Sequence, residues 1–330
     1  MKRKKHMSYL LVFFAILAIV YVAMLFASRK VYPIEYGISF NQDHAESLGL
    51  NWKQVYEDML RELEPKYIRI AAMWSDVEEV KGEYDFSSVD WMMDKAAEYN
   101  TKVLLVVGQK APRWPECHVP EWLDYGVQES EEHLLGYVTK VVERYMYHPA
   151  LELWQVENEP FIKFRFGECE RFNEGVVAGE IALVKNLDPE HKILITDSGE
   201  LSTWRQASKA GDLFGTTMYR IVQTPKGRTI VYDWLPAAFY RWKTKMWGRD
   251  LNDSFIAELQ AEPWFTDSNP TNTPVEKQEK TMNPERMQKH IDYASRTGFS
   301  RGYLWGVEWW YYMKSEHGDA RYWDIAKETL

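Results

Sequence analysis

Two short segments of the chain each carry a glutamate where an apolar run ends. The segment WQVENEP places Glu159 directly before a proline, and the segment FIAELQ places Glu258 at its centre. A charge at the end of an apolar strand costs free energy unless something there uses it. Two facing carboxyl groups can cleave a glycosidic bond, because one protonates the leaving oxygen while the other meets the developing oxocarbenium ion. Glu159 and Glu258 are therefore the candidate catalytic pair.

The elements that would position this pair are eight apolar runs separated by amphipathic stretches. Helical spacing of apolar residues between Trp52 and Leu63 is typical of the intervening stretches, and Asn283-Pro284 is typical of a helix start. The predicted strands are Ile34–Phe40, Tyr67–Ala72, Val103–Gly108, Leu151–Val156, Ile193–Thr196, Thr216–Tyr219, Phe255–Leu259 and Gly302–Trp305.

Eight strand–helix pairs within residues 31–330 predict an α/β fold, a (β/α)8 TIM barrel. The two glutamates would then lie at the carboxyl ends of the fourth and seventh strands, across the barrel from each other. A doubly wound open sheet is the alternative, but no glycine-rich dinucleotide motif follows the first strand.

The order of these motifs resembles that of the clan A retaining glycoside hydrolases, which include families 5, 39 and 42. The triplet NEP that contains Glu159 is similar to the clan's acid/base motif, and the triplet IAE that contains Glu258 is similar to its nucleophile motif. The resemblance runs from about Ile34 to the C-terminus. It implies Glu159 as acid/base, Glu258 as nucleophile, retention of configuration, and a reaction without metal or cofactor.

The same resemblance implies four substrate-binding residues. Arg69 would contact the nucleophile and keep it ionised, and Tyr219 would hydrogen-bond it. Asn158 would bond the sugar 2-hydroxyl, and Trp305 would form the floor under the sugar ring. From the residues alone, Arg69 could instead form a structural salt bridge, and Tyr219 and Trp305 could be core aromatics.

Two positions depart from the pattern of family 5. Thr217 stands where a histidine is usual, and Gln109 follows the third strand where another histidine is expected. These departures favour a divergent member nearer families 39 or 42, so the sugar and the linkage cannot be copied from the best-known enzymes.

Each catalytic candidate has a rival nearby. Glu262 lies four residues after Glu258, so both could point to the same side of an extended chain, but Glu262 precedes Pro263 and is expected in a loop. Glu157 neighbours the acid/base candidate, and we expect it to face the other side of the strand in a structural pairing.

The loop residues offer two further expectations. Cys117 and Cys169 are the only cysteines; they could remain free or form a disulfide, and the spacing of Cys117 to nearby Glu116 and His118 fits no standard metal site. Residues 266–281 are predicted to form a long loop over the mouth of the barrel. Five of the 15 tryptophans stand in predicted loops and are expected to line a glycan cleft: Trp114, Trp122, Trp264, Trp309 and Trp310.

Residues 1–30 are set apart by their composition, and residues 31–330 are expected to form the catalytic domain. Tyr9–Ala27 holds nineteen consecutive non-polar or aromatic residues between basic clusters. This favours an uncleaved single-pass signal anchor over a cleaved signal peptide, with the catalytic domain on the extracytoplasmic side of the membrane.

The charge of the catalytic domain limits its partners. Beyond residue 30, 34 basic residues stand against 49 acidic ones, a formal charge of −15. This argues against nucleic acid and an anionic membrane surface as binding partners, and it does not identify a substrate. The expected partner, an oligo- or polysaccharide substrate, follows from the resemblance. A transglycosylase would use the same residues. A catalytically silent glycan-binding barrel is the other alternative, although it would be expected to lose one of the two carboxylates or Asn158.

Overall fold

The computed structural model describes residues 2–123, 129–163, 167–169, 172–224, 227–265 and 270–330. Eight parallel strands close into a barrel in the order β1-β2-β3-β4-β5-β6-β9-β10, with β10 next to β1. Strands β7 and β8 form a separate antiparallel pair beyond β6. The strands are β1 Glu35–Ser39, β2 Tyr67–Ala71, β3 Lys102–Val107, β4 Leu151–Val156, β5 Lys192–Asp197, β6 Leu213–Met218, β7 Ile221–Gln223, β8 Thr229–Val231, β9 Ser254–Gln260 and β10 Arg301–Trp305.

Each of the eight predicted strands overlaps a barrel strand, so the predicted (β/α)8 architecture is confirmed. The largest error is at β6, which begins at Leu213 rather than at Thr216. Gly215 interrupts the apolar run in the sequence, but it lies inside the strand, where a Cβ would come within 2.9 Å of Thr196 and 3.2 Å of Ala257. Close packing of neighbouring strands therefore decides this boundary, and local composition does not.

Helices follow most of the barrel strands and cover the outside of the sheet. Helix α3 begins after Asn51, whose side chain accepts hydrogen bonds from two backbone amides of the first turn. Helix α11 begins at Pro284 with Asn283 as its cap, as predicted. The described helices are α1 Lys2–Ala27, α2 Gln42–Ser47, α3 Trp52–Leu63, α4 Trp74–Val77, α5 Ser87–Glu98, α6 Glu129–Tyr145, α7 Val177–Leu187, α8 Ala207–Ala210, α9 Ala238–Met246, α10 Val275–Gln278, α11 Pro284–Ala294, α12 Val307–His317 and α13 Arg321–Thr329.

The inside of the barrel is filled in layers. Near the amino ends of the strands, one buried cluster contains Tyr67, Leu104, Leu153, Leu194, Leu213, Phe255 and Tyr303. Successive inward positions along a strand are two residues apart. The next inward residues on β2, β4 and β5 are Arg69, Gln155 and Thr196, all buried. The apolar floor therefore supports a polar layer at the carboxyl ends of the strands, where barrel enzymes carry their chemistry.

One expectation about the loops was wrong, and a second was only partly right. Trp309 and Trp310 do not line a rim, because they lie on α12 with fully buried side chains whose indole N–H groups donate to Gln278 and Ala261. The helix starts directly after β10 and turns both residues into the core. Of the predicted long loop, residues 266–269 lie outside the described residues. The remainder is more ordered than expected, with a 3-10 turn over Pro270–Asn272 followed by α10.

The N-terminal helix α1 has the length and composition of a membrane span over Tyr9–Ala27, which a signal sequence would also show. Its C-terminal end contacts the barrel. The Tyr21 hydroxyl donates to the carbonyl of Trp234 over 2.7 Å, and the Ala238 amide donates to the Ser28 hydroxyl over 2.8 Å. The helix is thus fixed to the barrel beside α9.

Cys117 and Cys169 form a disulfide with Cα atoms 5.3 Å apart. The bond joins the loop after β3 to the loop after β4, so neither thiol is free to serve as a metal ligand.

Replacing Cys117 and Cys169 together by serine should lower the free energy of unfolding by up to about 4 kcal/mol. The disulfide closes a loop with a sequence separation of 52, and its loss restores the corresponding chain entropy to the unfolded state. Denaturant titration of the detergent-solubilised full chain measures the change. A thiol reductant should lower the wild-type midpoint and leave the double variant unchanged; equal stability of the two proteins without reductant would contradict the prediction.

Candidate active site

Arg69, on β2, is the centre of the polar layer. Its side chain is 1% exposed, and three of its N–H groups reach three acceptors. Nη1 donates to Oε1 of Glu258 over 2.8 Å, Nη2 to Oδ1 of Asn158 over 2.9 Å, and Nε to Oε1 of Gln155 over 2.9 Å. A buried guanidinium requires such partners. The contacts of Arg69 thus bring the ends of β4 and β9 together.

Glu258 receives a second donor from the loop after β6. The Tyr219 hydroxyl donates to Oε2 of Glu258 over 2.6 Å. Burial and the negative charge of Glu258 raise the pKa of Tyr219 well above its usual value, so the phenol keeps its proton and remains a donor. Both oxygens of Glu258 are therefore held, one by Arg69 and the other by Tyr219.

Glu159 lies just beyond the end of β4, and its backbone has a φ of +47°, in the left-handed region. Its amide donates to the Thr196 hydroxyl over 2.9 Å, and the Thr217 hydroxyl donates to its Oε1 over 2.9 Å. Thr217 is also the register partner of Glu258 across β6 and β9. The residue that departs from the family 5 pattern therefore holds the Glu159 carboxyl group and lies beside Glu258 in the sheet.

The surroundings of Glu159 favour its protonated form. Burial, the charge of Glu258 and the charge of Glu116 together raise the pKa of Glu159 well above the usual value. A carboxyl group in such a site keeps its proton at neutral pH and can donate it. If Glu258 became an ester and lost its charge, one of these contributions would disappear and the pKa of Glu159 would fall.

Glu116 is a member of the site that the sequence pattern did not identify. It is buried, its Oε2 accepts from Nδ2 of Asn158 over 3.2 Å, and burial raises its pKa to about 7. Glu116 precedes the disulfide-bonded Cys117, which fixes this part of the loop. No spacing rule relates it to Glu159, because only the tertiary fold brings the two together.

Glu157 lies behind the site in the structural pairing that was expected. Its carboxyl oxygens accept the amides of Gln109 and Lys110 over 2.7 and 2.6 Å, and it hydrogen-bonds Glu180 of α7. Two carboxyl groups can share such a bond only if one carries a proton, and among the described residues no other donor reaches the Glu180 oxygens. Burial raises the pKa of both carboxyl groups, and the pKa of Glu180 lies well above its usual value.

Trp305, the expected floor of the sugar site, has one face of its ring covered. The guanidinium carbon of Arg113 lies 4.1 Å from the ring centroid. Arg113 also pairs with Glu262 and, over 2.9 Å, with Glu308. Although burial opposes it, the charge of Arg113 lowers the pKa of Glu262 to about 2. The rival Glu262 is therefore held by Arg113, whereas the nucleophile candidate Glu258 is held by Arg69 and Tyr219.

The cavity among Arg69, Arg113, Trp305 and Glu308 is small, about 10 Å³, which is room for one water molecule. His44 lies near Glu262 and Glu308, so that three metal-ligand groups come within 4.8 Å of one another. Arg113 already supplies the positive charge between the two carboxylates. A sugar ring could enter this space only if the Arg113 side chain moved.

Comparison with known proteins points to one class of enzyme. A family model described as beta-galactosidase, of glycoside hydrolase family 42, matches residues 43–137. A beta-galactosidase of Arthrobacter sp. is 31% identical over 147 residues, which cover 37% of this chain and 21% of that protein. A second Arthrobacter beta-galactosidase is 26% identical over 143 residues, with the same coverage. These matched segments are thus well under half of the relatives' length, and the family match ends before Glu159.

Solved structures share the fold over most of the chain. The cold-adapted beta-galactosidase of Rahnella sp. R3 has a TM-score of 0.61 at 12% identity, covering 92% of this chain and 56% of that one. A GH5_18 protein of Bifidobacterium longum subsp. infantis has a TM-score of 0.61 at 15% identity, covering 90% and 79%. The closed barrel, the family match and these neighbours together support a clan A glycoside hydrolase barrel, the class that the motifs resembled.

Replacing Glu180 by glutamine should preserve the protein at neutral pH and flatten the fall of its stability as the pH rises above the usual value of 4.5. In the folded state the pKa of Glu180 is well above the usual value of 4.5, so the side chain keeps its proton as the pH rises. In the unfolded chain Glu180 loses the proton near the usual value. Stability therefore falls as pH rises through this window. A glutamine amide can still donate to Glu157 and does not titrate. Denaturant titrations at acidic, neutral and alkaline pH measure the slope.

Glu180→Ala is the contrasting variant. It removes the shared proton and leaves Glu157 buried without this partner, which should cost about 3 kcal/mol or more at neutral pH. If glutamine and alanine destabilised the protein equally, the hydrogen bond between the two carboxyl groups would have no part in its stability.

Proposed function

We propose that this chain is a retaining glycosidase for β-linked glycans, with Glu159 as acid/base and Glu258 as nucleophile. The observation that carries the proposal is that the two carboxyl groups have different surroundings. Glu258 accepts a hydrogen bond from buried Arg69 and another from Tyr219, whereas buried Glu159 has a strongly raised pKa. One carboxyl group is thus prepared to attack and the other to donate a proton.

In the first step, Oε of Glu258 attacks the anomeric carbon while Glu159 gives its proton to the glycosidic oxygen. The sugar–oxygen bond breaks, the leaving alcohol departs, and a glycosyl ester of Glu258 remains. In the second step, Glu159 takes a proton from water, the water oxygen attacks the anomeric carbon, and the ester bond breaks to regenerate the Glu258 carboxylate. Asn158, held by Arg69, would bond the sugar 2-hydroxyl.

The names of the relatives indicate which sugars to test first. The Arthrobacter relatives are beta-galactosidases, and a structural neighbour from an Opitutaceae bacterium is an exo-beta-1,4-mannosidase with a TM-score of 0.55 at 14% identity. β-Galactosides and β-mannosides are therefore the first substrates of a panel. The same residues would serve a transglycosylase if a sugar hydroxyl replaced water.

The proposed location is extracytoplasmic, with α1 as a single-pass anchor. Two observations support it: the apolar segment Tyr9–Ala27, and the disulfide between Cys117 and Cys169. Disulfides form and persist in oxidising compartments and are rare in the cytosol.

The alternative is a silent glycan-binding barrel, and one observation favours it. Arg113 covers a face of Trp305, and the cavity beside that ring is only about 10 Å³. Against it, Glu159, Glu258 and Asn158 are all present, and each is held by hydrogen bonds that binding alone would not require.

Glu159→Gln should lower turnover of substrates with a poorly acidic leaving alcohol by ~10²–10⁴-fold, because proton donation is lost. With aryl glycosides the rate of the first step should fall less, because their leaving group needs less help from protonation. Glu258→Gln should abolish turnover of both substrates. A mechanism-based fluoroglycoside should label Glu258, as read by peptide mass spectrometry. Labelling of Glu262 instead would refute the nucleophile assignment, and full activity of both variants would refute the mechanism.

Glu116→Gln should move the alkaline limb of the kcat/KM profile to lower pH, by about one unit. The Glu116 charge helps to raise the pKa of Glu159, so its removal allows Glu159 to lose its proton earlier. The glutamine oxygen can still accept the bond from Asn158. Glu98→Gln, an exposed change on α5, is the matched control and should leave the limb in place. A shift to higher pH in Glu116→Gln would contradict the electrostatic role.

A further inference from the structure

The contacts of α1 reveal its direction relative to the barrel. Along α1, Tyr21 contacts Trp234 before α9, Ser28 contacts Ala238 at the first residue of α9, and Ala27 accepts a bond from Arg241 one turn later. Tyr21, the earlier residue of α1, thus contacts the segment before α9, and the residues at the C-terminal end of α1 contact α9 itself. Helix α1 therefore runs beside α9 in the same direction.

The direction of α9 is known from the topology. It follows β6 and precedes β9, two parallel neighbours in the barrel, so it runs from the carboxyl-end face of the strands to the opposite face. After α1, the Tyr32 amide donates to the carbonyl of Ser295, which follows α11 at that opposite face. The earlier residues of α1, including most of Tyr9–Ala27, consequently project beyond the face that carries Glu159 and Glu258.

The position of Trp234 sets a depth. It contacts Tyr21, which lies six residues before Ala27, the end of the apolar segment. At 1.5 Å per residue this is about 9 Å along the helix axis. If α1 spans a bilayer, the loop that carries Trp234 lies at the boundary between hydrocarbon and head groups, where tryptophan is favoured.

Exposed apolar side chains on this face agree with that depth. Trp234 is 60% exposed, Trp114 65%, Leu201 62% and Val80 55%, and each lies in a connection that leads from the carboxyl end of a barrel strand to a later helix. The opposite face also carries exposed apolar groups, Tyr147 at 87% in the turn between α6 and β4 and Met246 at 66% at the end of α9, so exposure alone does not decide the orientation. Large apolar groups in water are unfavourable, whereas at a lipid interface they contribute to binding.

We propose that the mouth of the barrel faces the bilayer in which α1 is inserted, and that the substrate is the sugar head group of a membrane lipid. The inference rests on the proposed glycosidase activity and on α1 as a membrane span. A lipid-linked glycan in the same bilayer would reach Glu159 and Glu258 from the membrane surface that the barrel mouth faces, without its lipid leaving the membrane. A soluble polysaccharide would have to enter between the barrel and the lipid surface.

The orientation is tested without any use of the activity. The native cysteines are joined in the disulfide, so a single added thiol can be labelled. Leu201→Cys and Tyr147→Cys, on opposite faces, are each labelled with a fluorophore in the full chain reconstituted in phosphatidylcholine vesicles. Head-group spin-labelled lipid should quench the label at position 201 several-fold more than at 147. Equal quenching, or stronger quenching at 147, would overturn the orientation.

The substrate class is tested with one β-glycoside in three forms: as a soluble aryl glycoside, as a glycolipid in the same vesicles as the protein, and as that glycolipid in separate vesicles. The glycolipid in the same vesicles should be hydrolysed at least tenfold faster than in separate vesicles. Equal rates, or hydrolysis of the soluble form alone, would overturn the substrate assignment. If no form of any sugar in the panel were cleaved while the quenching pattern held, the glycosidase proposal and the lipid-substrate assignment that rests on it would fail, and the orientation would stand.

Discussion

The guanidinium of Arg69 is a positive charge buried inside a barrel, and such a charge is stable only where acceptors surround it. Its partners come from two distant segments of the chain, β4 with the residues after it and β9. The carboxylate of Glu258 and the amide of Asn158 are held because Arg69 needs them, and Arg69 stays buried because they are there. The apolar layer beneath, which contains Tyr67 and Phe255, keeps water from replacing any of these partners.

The segment after β4 shows how the backbone serves the same arrangement. Glu157 and Glu159 both have positive φ values, 61° and 47°, which residues other than glycine rarely adopt. The unfavourable backbone conformation of Glu157 is offset by the hydrogen bonds that its carboxyl group accepts from the amides of Gln109 and Lys110. That of Glu159 is offset by the hydrogen bond from its amide to the Thr196 hydroxyl. The two unusual conformations turn neighbouring glutamates in different directions: one into the protein and one into the site.

The barrel and its two carboxyl groups could be predicted from the sequence because they depend on local patterns: apolar runs of strand length, and short motifs at their ends. Arg69 and Tyr219 were predicted from motif resemblance, and both contact Glu258 in the structure. Glu116 could not be predicted, because it reaches Asn158 only through the folding of a distant loop. Trp309 and Trp310 were misplaced because no local signal distinguishes an aromatic pair in a loop from one at the start of a buried helix.

Arg113 occupies part of the proposed sugar site. Its guanidinium lies over Trp305 and is paired with Glu262 and Glu308, so any ligand that uses this ring face must first displace a side chain that is already satisfied. Binding is then an exchange, and its net free energy is the difference between two sets of contacts rather than the sum of one. Such a site would hold its ligands loosely and reject those that cannot offer the displaced arginine or its two carboxylates new partners.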